Sequence, residues 1–332
     1  MYYPDRKEYI TFLFSLLDAF AKSKETLISR GRPKTYSDAA LLVFYAMMTL
    51  KQIHTTRGHH RYLYTHPLML ETLRLPFCPS RSTLGRRYKA MFPLLGEFSE
   101  FIADWAVLMG YGFSHTLAYE DKSLFKACGR VWHKKDRAKN HIPKGLRNVD
   151  KTASWSKSAY HGWVYGYGLH LTTTRHGFPV MFDVMPANVN ERTVFDKKQQ
   201  RIIEKQIRYL IADAGYRDKK RATALAEAKI MLITPDICVK HAQTVLGTMD
   251  TLAITVFNEA KKARKIAIEP IFDLLSRLLG IQGRQKPLPV SGLASVATFL
   301  GIGVMLLQLA MLMNTRWELP TRNVTHIKTV FQ

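Results

Sequence analysis

Residues 163–189 read WVYGYGLHLTTTRHGFPVMFDVMPANV. Aromatic and β-branched residues alternate with small ones on both sides of Arg175–Gly177, and Gly177 suits a tight turn. The stretch predicts two antiparallel strands joined there. Upstream, HTLAYED at 115–121 predicts a strand ending in acid. Downstream, Glu191 opens a polar helix running to about Tyr209. LIADAGYRD at 210–218 predicts a short apolar strand ending at Asp213. RDKKRATALAEAK is a helix by composition, and IMLITPD is another strand. Three strands, a helix, a strand, a helix, a strand and then helices describe a mixed sheet flanked by helices, of the α+β or α/β class.

The first 110 residues read as helices. Ile10, Phe12, Leu13, Leu16, Leu17 and Phe20 form a helical stripe over Tyr9–Ala21. Ser37 is placed to cap a helix from Asp38 to about Leu50, and a shorter helix fits near Pro67–Leu73. In PFCPSRSTLGRRYKAMFPLLGEF, Ser82 can cap a helix carrying Arg86, Arg87 and Lys89 in its first turns. Helix, turn and basic-headed helix outline a helix-turn-helix DNA reader. A bundle with a solvated basic face fits the same pattern.

Charge narrows the partner. The chain of 332 residues has 49 Lys or Arg against 26 Asp or Glu, a net +23. Such a surface repels itself unless a polyanion meets it, which points to DNA ahead of an anionic membrane. A hydrophobic content of 47% excludes a disordered basic tail. Cys78, Cys128 and Cys238 lie far apart, which argues against a disulfide scaffold or zinc module and for a reducing compartment. No signal-peptide pattern follows the N-terminal apolar run. Ser295–Met313 is uncharged and about long enough to span a bilayer. Its glycines, Thr298 and Gln308 favour a buried core helix, so no membrane is expected.

The basic residues are concentrated. Residues 127–160 hold nine Lys or Arg and two Asp, interleaved with Trp132, Trp155, His133 and His141. Cations with aromatics suit a DNA backbone and its bases, so Trp132, Lys134, Lys135, Arg137, Trp155 and Lys157 are candidate DNA contacts. A solvated loop is the bland reading.

In so basic a chain the acids are informative. Asp121 and Asp213 each end a predicted strand, and Glu269 lies in the helical segment ARKIAIEPIF at 263–272. Neighbouring strand ends and a helix packed on them can gather three carboxylates, hard ligands for two Mg²⁺ or Mn²⁺ ions that cut phosphodiesters. Each acid also has a bland use. Asp121 can cap a turn, Asp213 can serve the Ala-Gly-Tyr turn after it, and Glu269 can pair with Lys265 one helical turn earlier.

YEDKSLFKACGRVWHKKDR, the strand pair quoted above and LIADAGYRD together resemble bacterial insertion-sequence transposases of the DDE class, in the family with a Tyr-Arg-Glu-Lys signature on its last catalytic helix. The resemblance covers about residues 115–280 well, and the N-terminal third loosely through GRPKTYSDAALL and PSRSTLGRR. It implies an RNase H-like catalytic domain over 111–332, with a basic insertion at about 127–160, behind a helical DNA-binding domain at 1–110. It implies two metal ions at Asp121, Asp213 and Glu269, with Glu259 as the fallback third acid. It implies cleavage at the ends of a mobile element and strand transfer into target DNA, by a homodimer that pairs two ends in the bacterial cytoplasm at the nucleoid. Arg264 and Lys265 would hold the strand, while Arg86, Arg87 and Lys89 would help recognise the terminal repeat. The family's Tyr and Lys fall on Lys262 and Ser276, with Arg277 beside the latter, and Pro270 should kink the helix next to Glu269. Those departures leave two alternatives: an inactive DNA-binding derivative, or a nuclease that cuts without joining.

Overall fold

The structure is a computed structural model that describes residues 3–24, 34–158, 162–234, 262–281 and 286–332. Glu259 and Cys238 lie outside the described residues.

Local signals set the N-terminal helices. Asp5 and Glu8 form a reciprocal capping box at the head of α1 (Arg6–Ser23). Ser37 accepts the Ala40 N–H and starts α2 (Asp38–Leu50), as its sequence predicts. Then come α3 (Thr56–Thr65), α4 (Leu68–Thr72), α5 (Arg81–Lys89) and α6 (Phe92–Leu108). The cap of α5 is Ser80, not Ser82. Arg86, Arg87 and Lys89 therefore occupy its last turn rather than its first. Cations there meet the negative end of the helix dipole.

The sheet is mixed and has six strands among the described residues. β1 (Leu117–Lys126) runs on past Asp121, because the long β3 (Gly162–Thr174) pairs with it antiparallel from Ala118 to Lys126. Asp121 therefore lies in mid-strand, where the sequence reading ended the strand. The turn after β3 leads into β4 (Pro179–Pro186), as expected. The basic insertion is more ordered than a loop: it contains α7 (Lys134–Ala138) and β2 (Ser154–Ser158), which pairs with the first residues of β3.

After β4 the chain crosses over through α8 (Glu191–Glu204) to β5 (Tyr209–Ala212), and through α9 (Lys219–Glu227) to β6 (Met231–Ile233). β5 lies parallel to β1, and β6 parallel to β5. Residues 262–267 are helical, Ile268 is a turn, and α10 (Glu269–Leu278) begins next to it. α11 (Leu293–Arg316) and α12 (Thr325–Phe331) close the fold.

α11 is the apolar segment that raised the membrane question. It is buried on all sides, against α6, β4, α2 and α10. Its central amide has partners inside the fold: Gln308 accepts from Ser99 Oγ at 3.0 Å and donates to the Ser99 and Pro179 carbonyls at 2.8 and 2.9 Å. A helix apolar all round is stable in a core for that reason. One contiguous hydrophobic cluster joins the N-terminal helices, the sheet and α11.

The two faces of β1 differ. Glu120 meets α8, where Lys198 donates to both its oxygens at 2.9 Å and to Thr172 Oγ1 at 2.9 Å, with every partner buried. Asp121 points to the other face.

Candidate active site

The parallel ladder between β1 and β5 pairs Glu120 with Ala212 and stops there. The next residue of β1 is Asp121 and the next of β5 is Asp213. Register alone thus sets the two acids side by side at the end of the ladder, although 91 positions separate them in sequence. Asp213 precedes a single 3₁₀ turn at Ala214–Tyr216, so its side chain is free to turn toward the pit.

Arg264 lies between them. Its Nη2 donates to Asp121 Oδ2 at 3.0 Å and is 3.8 Å from Asp213 Oδ2. The other Asp121 oxygen accepts the Lys122 amide at 2.8 Å. Burial pushes the Asp121 carboxyl above its usual range, the Arg264 charge opposes that shift, and Asp213 adds to it. Burial alone would lower the Arg264 pKa, but Asp121 and Asp213 reverse this and hold the guanidinium above its ordinary value. The pair thus gathers around one cation, Arg264, and its donors are hard carboxylate oxygens of the kind that could hold Mg²⁺.

Glu269 reaches the neighbourhood differently. It is the first residue of α10 and is exposed. Its charge acts on Arg264, with less effect than either aspartate. Pro270 breaks the helix here as its ring predicts, and Ile268 N–H is bonded to Arg264 O at 3.0 Å just before the break. Pro270 has no N–H to give the Ile266 carbonyl, and Arg322 Nη1 supplies that bond at 2.7 Å. The same guanidinium donates to His176 O at 3.1 and 2.9 Å, which ties the β3–β4 turn to the break. Gly177 is required in that turn: its φ is +78°, and a Cβ would lie 2.7 Å from the Ala267 carbonyl. The structure thus brings Asp121 and Asp213 together. Among the described residues, no three acid, His or Cys side chains form one metal cluster.

Sequence reasoning missed one acid. Glu191, the first residue of α8 after the Asn190 cap, is half-buried. Its Oε1 is 4.0 Å from Lys122 Nζ, and its Oε2 lies over the Gly215 backbone, where a Cβ would be 2.3 Å away. Burial raises its pKa, Lys122 opposes, and Asp213 and Asp121 add to the rise. An acid in a first helical turn reads as a dipole partner, so nothing local marked Glu191 for the pit. Only the crossover from β4 through α8 brings it there.

The candidate DNA contacts divide. Arg86 and Lys89 are exposed, whereas Arg87 turns inward to Tyr36 O and Asp38. Trp132 is 4% exposed and donates to His141 O, so it anchors the insertion from within instead of presenting its face. Trp155 is half-buried and donates to Trp132 O. Trp163, just after the insertion, does face the surface at 55% exposure, with Lys134 Nζ 2.8 Å above its ring centre. Arg137 is half-buried near the Tyr165 ring, while Lys134, Lys135, Lys157 and Lys265 are exposed.

Residues 130–285 match a protein family described as a transposase DDE domain. That span contains Asp213 and Glu269, and Asp121 lies just before it. Among solved structures, the chain is similar to a piggyBac transposase in a synaptic complex with hairpin DNA, at 9% identity over 98% of this chain and 77% of that one, with a TM-score of 0.42. It is also similar to a pre-cleavage Mos1 transpososome, at 11% identity over 100% and 99% of the two chains, with a TM-score of 0.19. No curated protein matches it.

Proposed function

We propose that this chain, whose match and motifs are those of a DDE transposase, cuts DNA at the ends of an insertion sequence and joins the freed ends to target DNA. The observation that carries the reading is the meeting of Asp121 and Asp213 around one cationic group at the end of the β1–β5 ladder. The mixed sheet with its crossover helices supports an RNase H-like catalytic domain, and the exposed Arg86 and Lys89 support an N-terminal DNA-binding region.

In this reading Asp121 and Asp213 would hold Mg²⁺ or Mn²⁺, and Glu269, exposed at the head of α10 and outside any three-acid cluster among the described residues, would have to join them to complete the donor set. Bound there, two ions would lower the pKa of an attacking water and stabilise the departing oxygen. The protein's own part is to aim the acids and the strand. β1 and β5 fix the two aspartates, while Lys265 and the exposed lysines of the insertion hold phosphates. The freed 3′ hydroxyl then attacks target DNA in the place of water. A homodimer that pairs two ends, acting at the bacterial nucleoid, completes the proposal.

A supercoiled donor plasmid bearing the cognate ends, incubated with Mn²⁺, tests it. Asp121→Asn and Asp213→Asn should each lower excision by more than about a thousandfold. Unchanged excision by Asp213→Asn would sink the reading. End binding without metal-dependent nicking by the wild type would select the inactive derivative. Nicked ends that never join to target would select the nuclease.

A further inference from the structure

Two carboxylates in a half-buried pit repel each other, and without a cation one takes up a proton. Here a cation is built into the chain. Arg264 Nη2 is within 3.0 Å of one aspartate and 3.8 Å of the other, and the side chain is only 18% exposed. A guanidinium does not lose its proton, so its charge remains at any working pH. A divalent ion bound to the same oxygens would need the space and the charge balance that Arg264 now supplies. Both cannot be there at once.

A second observation says where the displaced group would go. Arg264 Nε is buried, and among the described residues it has no hydrogen-bond partner. A buried donor left unpaired is costly. A guanidinium with a spare N–H is matched to forked oxyanions, carboxylate or phosphate, and beside a candidate cleavage site the incoming one is a phosphodiester. Arg264 also sits one helical turn before the break at Ile268, where the backbone of the helix is already interrupted.

We propose that Arg264 is an exchange residue: in the DNA-free protein it holds the cation position between Asp121 and Asp213, and it yields that position to the metal as it takes a phosphate of the bound strand. The proposal rests on the reading of the two aspartates as metal ligands. Its consequence is that metal binds weakly until DNA is present, because in the free protein the ion competes with Arg264. Arg264 is in this sense a positioning residue that acts through the acids.

The test is Mn²⁺ affinity of the full chain without DNA, measured by calorimetry and by electron paramagnetic resonance. Arg264→Gln removes the competitor and should tighten Mn²⁺ binding by about fivefold or more. A merely structural arginine would do the opposite, since its loss would splay the aspartates and weaken binding. Arg264→Lys, which keeps a charge but loses the fork, guards against misfolding of the glutamine variant and should tighten binding by a smaller factor. Equal or weaker affinity in both folded variants overturns the exchange and leaves the metal site standing. Absence of Mn²⁺ binding in wild type and variants alike, at millimolar ion, overturns the metal site and the exchange with it.

Discussion

Glu120 and Asp121 are adjacent carboxylates with opposite fates. Glu120 is sealed under α8 by Lys198 and Thr172, where a buried pair holds two elements together. Asp121 faces Arg264 and the end of β5. The period of two along a strand separates them, and that period is readable in sequence. What each side meets is not. Glu191 makes the same point, because its contact with Lys122 and its place over Gly215 depend on where α8 begins in space. Glu191→Gln keeps the shape and removes the charge beside Lys122. If the proposed function holds, metal-dependent nicking should fall about 10–100-fold, because the variant removes a charge that is coupled to Asp213 and Asp121, with the melting temperature nearly unchanged. Nicking at the wild-type rate would show that Glu191 only closes the Gly215 turn.

At the scale of elements, the junction before α10 is the telling case. Pro270 takes a donor from the Ile266 carbonyl and Arg322 restores it, while also binding the β3–β4 turn. Arg322→Gln should cost about 1–3 kcal/mol in urea unfolding, the range for losing charge-assisted bonds. Adding Pro270→Ala should recover part of that loss, since alanine supplies the missing N–H. Strictly additive losses in the double variant would contradict this account of the break. Other elements were legible in advance. Asp38–Leu50 with its Ser37 cap, the strand pair around Gly177 and the kink at Pro270 follow from local chemistry. β2 was not, because its Ser-Lys-Ser ending carries no apolar alternation and β3 alone supplies its ladder. The extension of β1 beyond Asp121 has the same cause. Ser80 displaced Ser82 as a cap because several adjacent hydroxyls can compete for one helix start.

At the scale of the whole molecule, acid should be damaging for reasons other than net charge. Burial holds His54 at about 4 and His170 at about 2, below the ordinary 6.5. A histidine depressed in the folded state takes its proton more readily when unfolded. Its stabilising contribution is therefore complete above about pH 6.5 and is lost as pH falls from there toward the folded values. The melting temperature should drop across pH 6.5 to 4, and His54→Gln should make that slope shallower. A flat profile over this window would contradict the buried neutral state of these rings.

The sequence by itself determined the polyanion-seeking charge, the helical N-terminal third, the mixed order of strands and helices, and a short list of acids. These properties are local. Periodicity records which face of an element is covered, and composition records charge. The tertiary structure alone decided that Asp121 and Asp213 meet, that Arg264 stands between them, and that Glu191 joins their edge. It also decided that Trp132 and Arg87 turn inward while Trp163 faces out. Those facts depend on strand register and crossover geometry between segments tens of residues apart. No local pattern encodes such distances, because the same alternation fits several registers until the whole sheet is assembled.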